Sequence, residues 1–491
     1  MLPPSESTIG LEVHAQLLSR SKLFCPCSTE YGAPPNTQVC PVCLGLPGAL
    51  PVANSAAVEM AVRAALALGC EVRETSYFAR KNYFYPDLAK GYQISQYELP
   101  LNERGKLAIP GEGGAGGDTI VGITRIHLEE DAAKNLHGVG EAKQTLVDFN
   151  RAGVPLIEIV SEPDMASAGQ AEAYLRCLRE LLMYVGVNDG NLEQGSFRCD
   201  ANVSIRPAGQ HELGTRVELK NINSFRFVRH AIEYEIARQQ ALIAGGGRVV
   251  LETRGWDEAA GKTVPMRGKE EAQDYRYFPD PDLPPLVIGE AQVAALRESL
   301  PELPRAKRER WQQQLGLTAY DTTVLTSHPR LADFYERAVR ALSHASPNHP
   351  QREAGKKMAN FMHSEVMRHV RAHGLDAEFP VRPEALAELL ESIDSGTLSG
   401  KMAKEVFAEM TRTGQGAHSI IEARGLAQLS DAGEIDAVAR DVLAAHPSQV
   451  EQYQRGKTNL LGFFVGRVMR ATCGRANPVL VNDILRKRLG S

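Results

Sequence analysis

From Ile9 to Leu17 the chain alternates without a break: Ile9, Leu11, Val13, Ala15 and Leu17 are apolar, and Gly10, Glu12, His14 and Gln16 are not. A strict period of two predicts a β-strand with one buried face, and it projects Glu12 and His14 side by side from the other. CDANVSIR (199–206) repeats the pattern, with Cys199, Ala201, Val203 and Ile205 on the buried phase and Asp200, Asn202, Ser204 and Arg206 on the polar one. TRVELKN (215–221) sets Val217 and Leu219 against Arg216, Glu218 and Lys220, and RIHLEED (125–131) sets Ile126 and Leu128 against Arg125, His127 and Glu129. Glu130 falls at the end of its strand, where alternation does not choose between Glu129 and Glu130. PLIEIV (155–160) differs, because Glu158 interrupts an apolar run. A carboxylate in such a run is costly to bury unless it is paired or metal-bound. Its alternatives are a functional acid or an ion pair with an arginine such as Arg151.

Helical periodicity predicts helices over residues 56–68, with Asn54 and Ser55 as caps and Gly69 as the stop, and over 168–185, ending at Gly186. GEGGAGG (111–117) reads as a hairpin tip. GWDEAAGKT (255–263) resembles a phosphate-binding glycine loop, but Trp256 stands where that loop needs glycine. It reads as a hairpin turning at Ala260-Gly261-Lys262, so any ATP is bound by a fold other than a P-loop. The proline-dense FPDPDLPPL (278–286) marks a boundary, and beyond about 290 the pattern is amphipathic helix throughout. The fold class expected is α+β: a mixed or antiparallel sheet domain with helices over 1–292, an all-α domain over 293–400 and an all-α tail over 401–491.

A length of 491 residues agrees with that count, since domains average roughly 150 residues. The net charge of −5 does not mark a general nucleic-acid binder, so such a role needs a local patch. The tail has one: from Arg455 to Ser491 eight Lys/Arg face a single acid, Asp483. On the helix starting near Asn459, Leu461, Phe464, Val465 and Val468 form one stripe, with Arg467 and Arg470 opposite. The first residues carry neither a basic nor an apolar leader pattern, and no apolar run approaches the roughly 18 residues that span a bilayer. A cytoplasmic location without membrane attachment is expected. Cysteines then serve as thiols or metal ligands rather than disulfides. Cys25, Cys27, Cys40 and Cys43 form two tight pairs joined by a short loop, which matches a four-thiolate zinc insert at 25–43. Four thiolates leave no open position, so that zinc is structural.

Carboxylates, one histidine and several Lys/Arg on one sheet face suit phosphate chemistry: oxygen ligands bind magnesium, and cations offset phosphoryl charge. Imidazole is a less usual magnesium ligand than carboxylate, so His14 can also act by hydrogen-bonding a ligand. Aromatic residues crowd YFARKNYFYPDLAKGYQISQY (77–97), interleaved with Arg80, Lys81 and Lys90, and DYRYFP (274–279) sets Arg276 between two tyrosines. Rings with cations can stack a base and hold a phosphate. Arg80, Lys81, Arg206, Lys220 and Arg276 are the candidate nucleotide-binding cations.

The motifs IGLEVHAQL, YFARKNYFYPDLAKGYQISQ, RIHLEEDAAK, PLIEIVSEPD, GSFRCDANVSIRP, ELKNINSF and DYRYFPDPDLPPL, in this order, resemble those of the B subunit of tRNA-dependent aspartyl/glutamyl amidotransferases. The tail GKTNLLGFFVGRVMRATCGRANPVLVNDIL resembles that family's C-terminal domain. The resemblance implies a cradle-shaped first domain and a helical tail that contacts tRNA. It implies that ATP phosphorylates the side-chain carboxylate of Asp-tRNA(Asn) or Glu-tRNA(Gln), after which ammonia displaces the phosphate. It assigns Glu12, His14, Lys81, Glu130, Glu158 and Asp200 to the kinase and transamidase site, with His14, Glu130 and Glu158 as magnesium ligands. Ammonia would come from a separate amidase partner, with a small third protein tying the two into a heterotrimer, since no glutaminase constellation is recognisable in this chain. A non-catalytic zinc-containing RNA-binding scaffold and a stand-alone metal-dependent hydrolase are the competing readings. The first predicts that the strand-borne acids are dispensable for amidation, the second activity without ATP or a partner.

Overall fold

The computed structural model describes residues 5–111, 117–139, 144–268, 275–345, 350–374, 378–426, 431–472 and 475–490. The chain forms two compact units, Met1–Pro304 and Arg305–Ser491. Among the described residues, a nine-stranded sheet organises the first unit. In chain order its strands are β1 (Ser5–Gln16), β2 (Glu71–Val72), β3 (Asn102–Ile109), β4 (Thr119–Glu130), β5 (Pro155–Ser161), β6 (Phe197–Pro207), β7 (Val217–Lys220), β8 (Glu252–Asp257) and β9 (Lys262–Gly268). They lie in the order β9-β8-β7-β6-β1-β5-β4-β3-β2. Neighbours are antiparallel except β7 and β8, so the sheet is mixed.

The apolar phase of these strands packs against three helices, α1 (Ser55–Ala67), α2 (Ala168–Tyr184) and α3 (Phe225–Ala244). Leu11, Val13, Ile126, Ile159, Ala201 and Leu219 share one core with Ala61, Leu178 and Ile232. Each buried aliphatic side chain is worth about 1.5–3 kcal/mol, so the alternation decides which sheet face the helices cover. The polar phase is left on the other face. The Asn54 side chain caps α1 by accepting from the Ala56 and Ala57 N–H groups, and Gly69 ends it at φ +66°. Ser167 caps α2 through the Gln170 N–H, and Gly186 follows at φ +71°.

Ile109 lies opposite Thr119, so β3 and β4 form a hairpin; residues 112–116 of its glycine-rich tip lie outside the described residues. The phosphate-loop look-alike is the β8–β9 hairpin, with Asp257 opposite Lys262 and Gly261 at φ +60°. A smaller sheet joins Ala79–Asn82 to Tyr92–Ser95 on one side and Phe278–Pro279 on the other. The proline-dense segment is therefore part of the first unit: Phe278 pairs with Arg80 and Leu286 with Ser76. The helix α4 (Glu290–Glu298) follows, and Val293, Leu296, Leu300 and Leu303 pack on the same core.

The second unit is helical. Pro329–Ala345 buries Leu331, Phe334, Tyr335, Ala338 and Leu342, and Trp311 Nε1 donates to Glu336 Oε1 at 2.9 Å. Near the C-terminus Ile435, Phe464, Val468, Val481 and Leu485 form a separate core. Arg467 and Arg470 are exposed on Leu461–Ala471, opposite buried Phe464 and Val468. Part of the tail's positive charge is spent locally, because Arg455 pairs with Glu451 and Arg488 with Asp436. Among the described residues no helix is long and apolar enough to cross a membrane.

Candidate functional site

β1 carries a polar side chain at alternate positions and has a strand on each side. Pairing with β6 sets Glu12 opposite Asp200, and pairing with β5 sets His14 opposite Glu158. Pairing of β5 with β4 sets Glu158 opposite His127. Adjacent strands lie about 4.8 Å apart, so side chains in one row touch. His14 Nε2 is 3.4 Å from Glu158 Oε2, and His127 Nε2 is 3.6 Å from the same oxygen and 3.2 Å from Glu129 Oε1. Glu129 is held by Ser95 Oγ at 2.6 Å and Gln93 Nε2 at 3.0 Å. One ligand atom each from His14, Glu129 and Glu158 fall within 4.8 Å of one another.

These groups line a cavity of about 680 Å³ on the polar face of the sheet, together with Glu12, Lys81, Asp200 and Lys220. Burial would raise the Glu158 carboxyl, but His127 and His14 hold it well below the usual range. Burial would lower His14, but its hydrogen bond and charge interaction with Glu158 raise it. Burial also opposes the charge on Lys81, and the carboxylates of Glu129 and Glu158 more than restore it. Lys81 therefore stays an ammonium, its Nζ 5.1 Å from the centre of the Tyr275 ring. Glu12 moves the other way: burial and the neighbouring carboxylates of Glu158 and Asp200 raise its pKa, while Asn202 Nδ2 donates to its Oε1 at 3.0 Å. Lys220 bridges Asp200 at 2.7 Å and Glu218 at 3.2 Å.

The structure brings Glu12, His14, Lys81, Glu158, Asp200, Lys220 and Arg276 to one cavity. It does not bring Glu130 there. Glu129 continues the phase of Arg125 and His127, so Glu130 points to the opposite face, where it pairs with Lys90 and accepts from the Ile94 N–H at 2.9 Å. Arg80 also lies outside, because it alternates with Lys81. It is clamped by Asp280 at 2.7 Å and Asp282 at 2.8 Å, with Tyr92 below its guanidinium. Arg206 sits six residues along β6 from Asp200, about 20 Å away, and pairs with Glu6. Arg151 is not the partner of Glu158; it lies 3.8 Å from Asp131 and donates to the carbonyls of Ala132 and Ala133. Glu129, which the sequence leaves open against Glu130, lines the cavity, as do His127 and Arg125, which alternation places on the polar phase of RIHLEED without selecting them as site residues.

The four cysteines of the insert also converge, their sulfurs all within 4.8 Å of one another. The Cys25 thiol, the Cys40 N–H at 3.2 Å and the ammonium of Lys22 at 3.6 Å pull the Cys43 thiol well below the ordinary thiol range. Four sulfurs at this spacing, one already favouring thiolate, fit a tetrahedral zinc ion. None of the four lines the cavity. In the cavity, two carboxylates and an imidazole facing open space fit a hard divalent ion that keeps positions for water or phosphate.

Comparison with known proteins covers nearly the whole chain. Residues 7–294 match the GatB/GatE catalytic domain and residues 348–489 the GatB domain. The chain is 56% identical to the B subunit of the aspartyl/glutamyl-tRNA(Asn/Gln) amidotransferase of Geotalea uraniireducens, with 98% of each chain covered. It is 54% identical to the corresponding protein of Syntrophotalea carbinolica, with 99% of this chain and 98% of that one covered. For that of Myxococcus xanthus the identity is 52%, again over 99% and 98%.

Proposed function

Because the chain belongs to the GatB/GatE family, we propose that it is the component that amidates misacylated tRNA at the expense of ATP. The carboxylate oxygen of a tRNA-borne aspartate or glutamate attacks the γ-phosphorus of ATP, and the bond to ADP breaks. The acyl phosphate then has a good leaving group. Ammonia adds to the carbonyl carbon, phosphate departs with the C–O electron pair, and the nitrogen gives up a proton to leave the amide.

The chain's residues suit these needs. Lys81, kept cationic by its neighbours, offsets charge on the phosphoryl oxygens. Glu12, with a raised pKa beside Asn202, is the base for the proton shed by nitrogen. Lys220 and Asp200 hold each other in place at the cavity wall. His14, Glu129 and Glu158 would hold magnesium, which when bound neutralises phosphate oxygens. Cys25, Cys27, Cys40 and Cys43 would hold zinc as a support for the fold. A partner amidase would supply ammonia from glutamine, a small third protein would tie the heterotrimer together, and the tail over 401–491 would contact tRNA in the cytoplasm.

The observation that carries this reading is the convergence of His14, Glu129 and Glu158 with Lys81 in one open cavity. The test is ATP consumption by the chain co-purified with its partners, with Asp-tRNA(Asn) and Glu-tRNA(Gln) offered separately. ADP release that depends on a misacylated tRNA and matches amide formation is expected. Amidation without ATP, or none with either tRNA, contradicts it.

A further inference from the structure

Arg125 brings a guanidinium to the cavity that no described acid pairs with. It lies on β4 in phase with His127 and Glu129 and lines the same space. Its Nε is buried without a hydrogen-bond partner. A buried N–H left unmade is costly to the fold, so a donor kept in that state points to a ligand. The ladder explains why no acid among the described residues answers it. Across β5 its neighbour is Val160, which is apolar. Across β3 its neighbour is Glu103, whose carboxylate is taken by Arg73. Glu98, at the cavity lining, is exposed, and among the described residues no carboxylate bonds to Arg125. Two other cavity cations are already answered: Lys220 is neutralised by Asp200 and Glu218, and Lys81 faces Glu129 and Glu158. Arg216 and Arg276 also line the cavity, and Arg216 is exposed where the Arg125 Nε is buried.

We infer that Arg125 receives a phosphate oxyanion of the nucleoside triphosphate, on the side of the cavity away from the His14–Glu129–Glu158 cluster. Arg125 and Glu129 are four residues apart on one strand, about 13 Å between Cα atoms. The two side chains bracket a space in which a polyphosphate can touch the cluster at one end and the guanidinium at the other. A planar guanidinium offers paired N–H donors to a phosphate, which an ammonium cannot. The inference rests on the proposed use of ATP and adds the residue that orients it.

The test measures binding of ATP with magnesium to the purified heterotrimer, with wild type, Arg125→Met and Arg125→Lys compared, alongside melting temperature and the KM for each substrate. Arg125→Met is expected to weaken ATP binding by about tenfold or more, and Arg125→Lys to restore part of it. Melting is expected to hold or rise, because Arg125→Met loses no hydrogen bond to the described residues and removes a buried unmade donor. Wild-type affinity in Arg125→Met overturns the inference, as does an effect confined to the KM for tRNA or a loss of binding that follows a lower melting temperature. If the wild-type complex itself neither binds nor consumes ATP, the proposed function fails, which is a separate result.

Discussion

His14 and Glu158 face each other across the central pair of antiparallel strands, imidazole Nε2 3.4 Å from carboxylate Oε2. The contact follows from register: a one-residue slip of either strand would send one of the two into the helix-covered core. His127 approaches Glu158 from the other side, so among the described residues this acid meets two imidazoles and no arginine.

The position of Glu129 gives a sharp contrast with its neighbour. Glu129→Gln removes one of the three groups proposed to hold magnesium, and the magnesium required for half-maximal ATP consumption is expected to rise by at least about tenfold. Glu130→Gln is expected to leave the magnesium requirement unchanged, because that carboxylate pairs with Lys90 on the opposite face. A metal titration of both variants checks the difference.

Lys81 is expected to matter for rate more than for folding. Lys81→Met removes a positive charge that acts on both Glu129 and Glu158, and the amidation rate should fall by about a hundredfold or more. Binding of tRNA, followed by filter retention, should be preserved.

Glu12 carries a pH signature. Its folded pKa is raised by burial and by Glu158 and Asp200, so the folded state holds this proton more tightly than the unfolded chain does. The associated stability is present below the unfolded pKa and is lost as pH rises through the folded value. Glu12→Gln avoids that loss. In metal-free buffer its melting temperature should exceed wild type at neutral pH, and the gain should vanish as pH falls below the ordinary carboxylate range.

Much of this arrangement was legible in the sequence because period two is a local signal. It put Glu12, His14 and Asp200 on one face, and the apolar run around Glu158 exposed its cost. Asn54, Gly69 and Gly186 marked helix ends for the same local reason. What local pattern cannot carry is pairing between distant segments. Arg80 looked like a nucleotide ligand until Asp280 and Asp282 arrived from two hundred residues away. Glu130 drew its partners from Lys90 and Ile94, on a segment folded against the end of β4. The proline-dense 278–286 marked a boundary by composition, but composition gave no sign that its ends pair with Arg80 and Ser76.

The cysteine insert should behave as a support. About one equivalent of zinc per chain is expected by elemental analysis. Cys43→Ser should lower both zinc content and melting temperature. Amidation per folded molecule should be retained, since no cysteine of the cluster lines the cavity.

The central claim is that one divalent ion sits among His14, Glu129 and Glu158. Manganese-soaked crystals of the complex, read by anomalous scattering, test it most directly. A peak within coordinating distance of all three side chains is the expected result. A peak at Glu130, or none in the cavity while ATP is still consumed, would contradict the account.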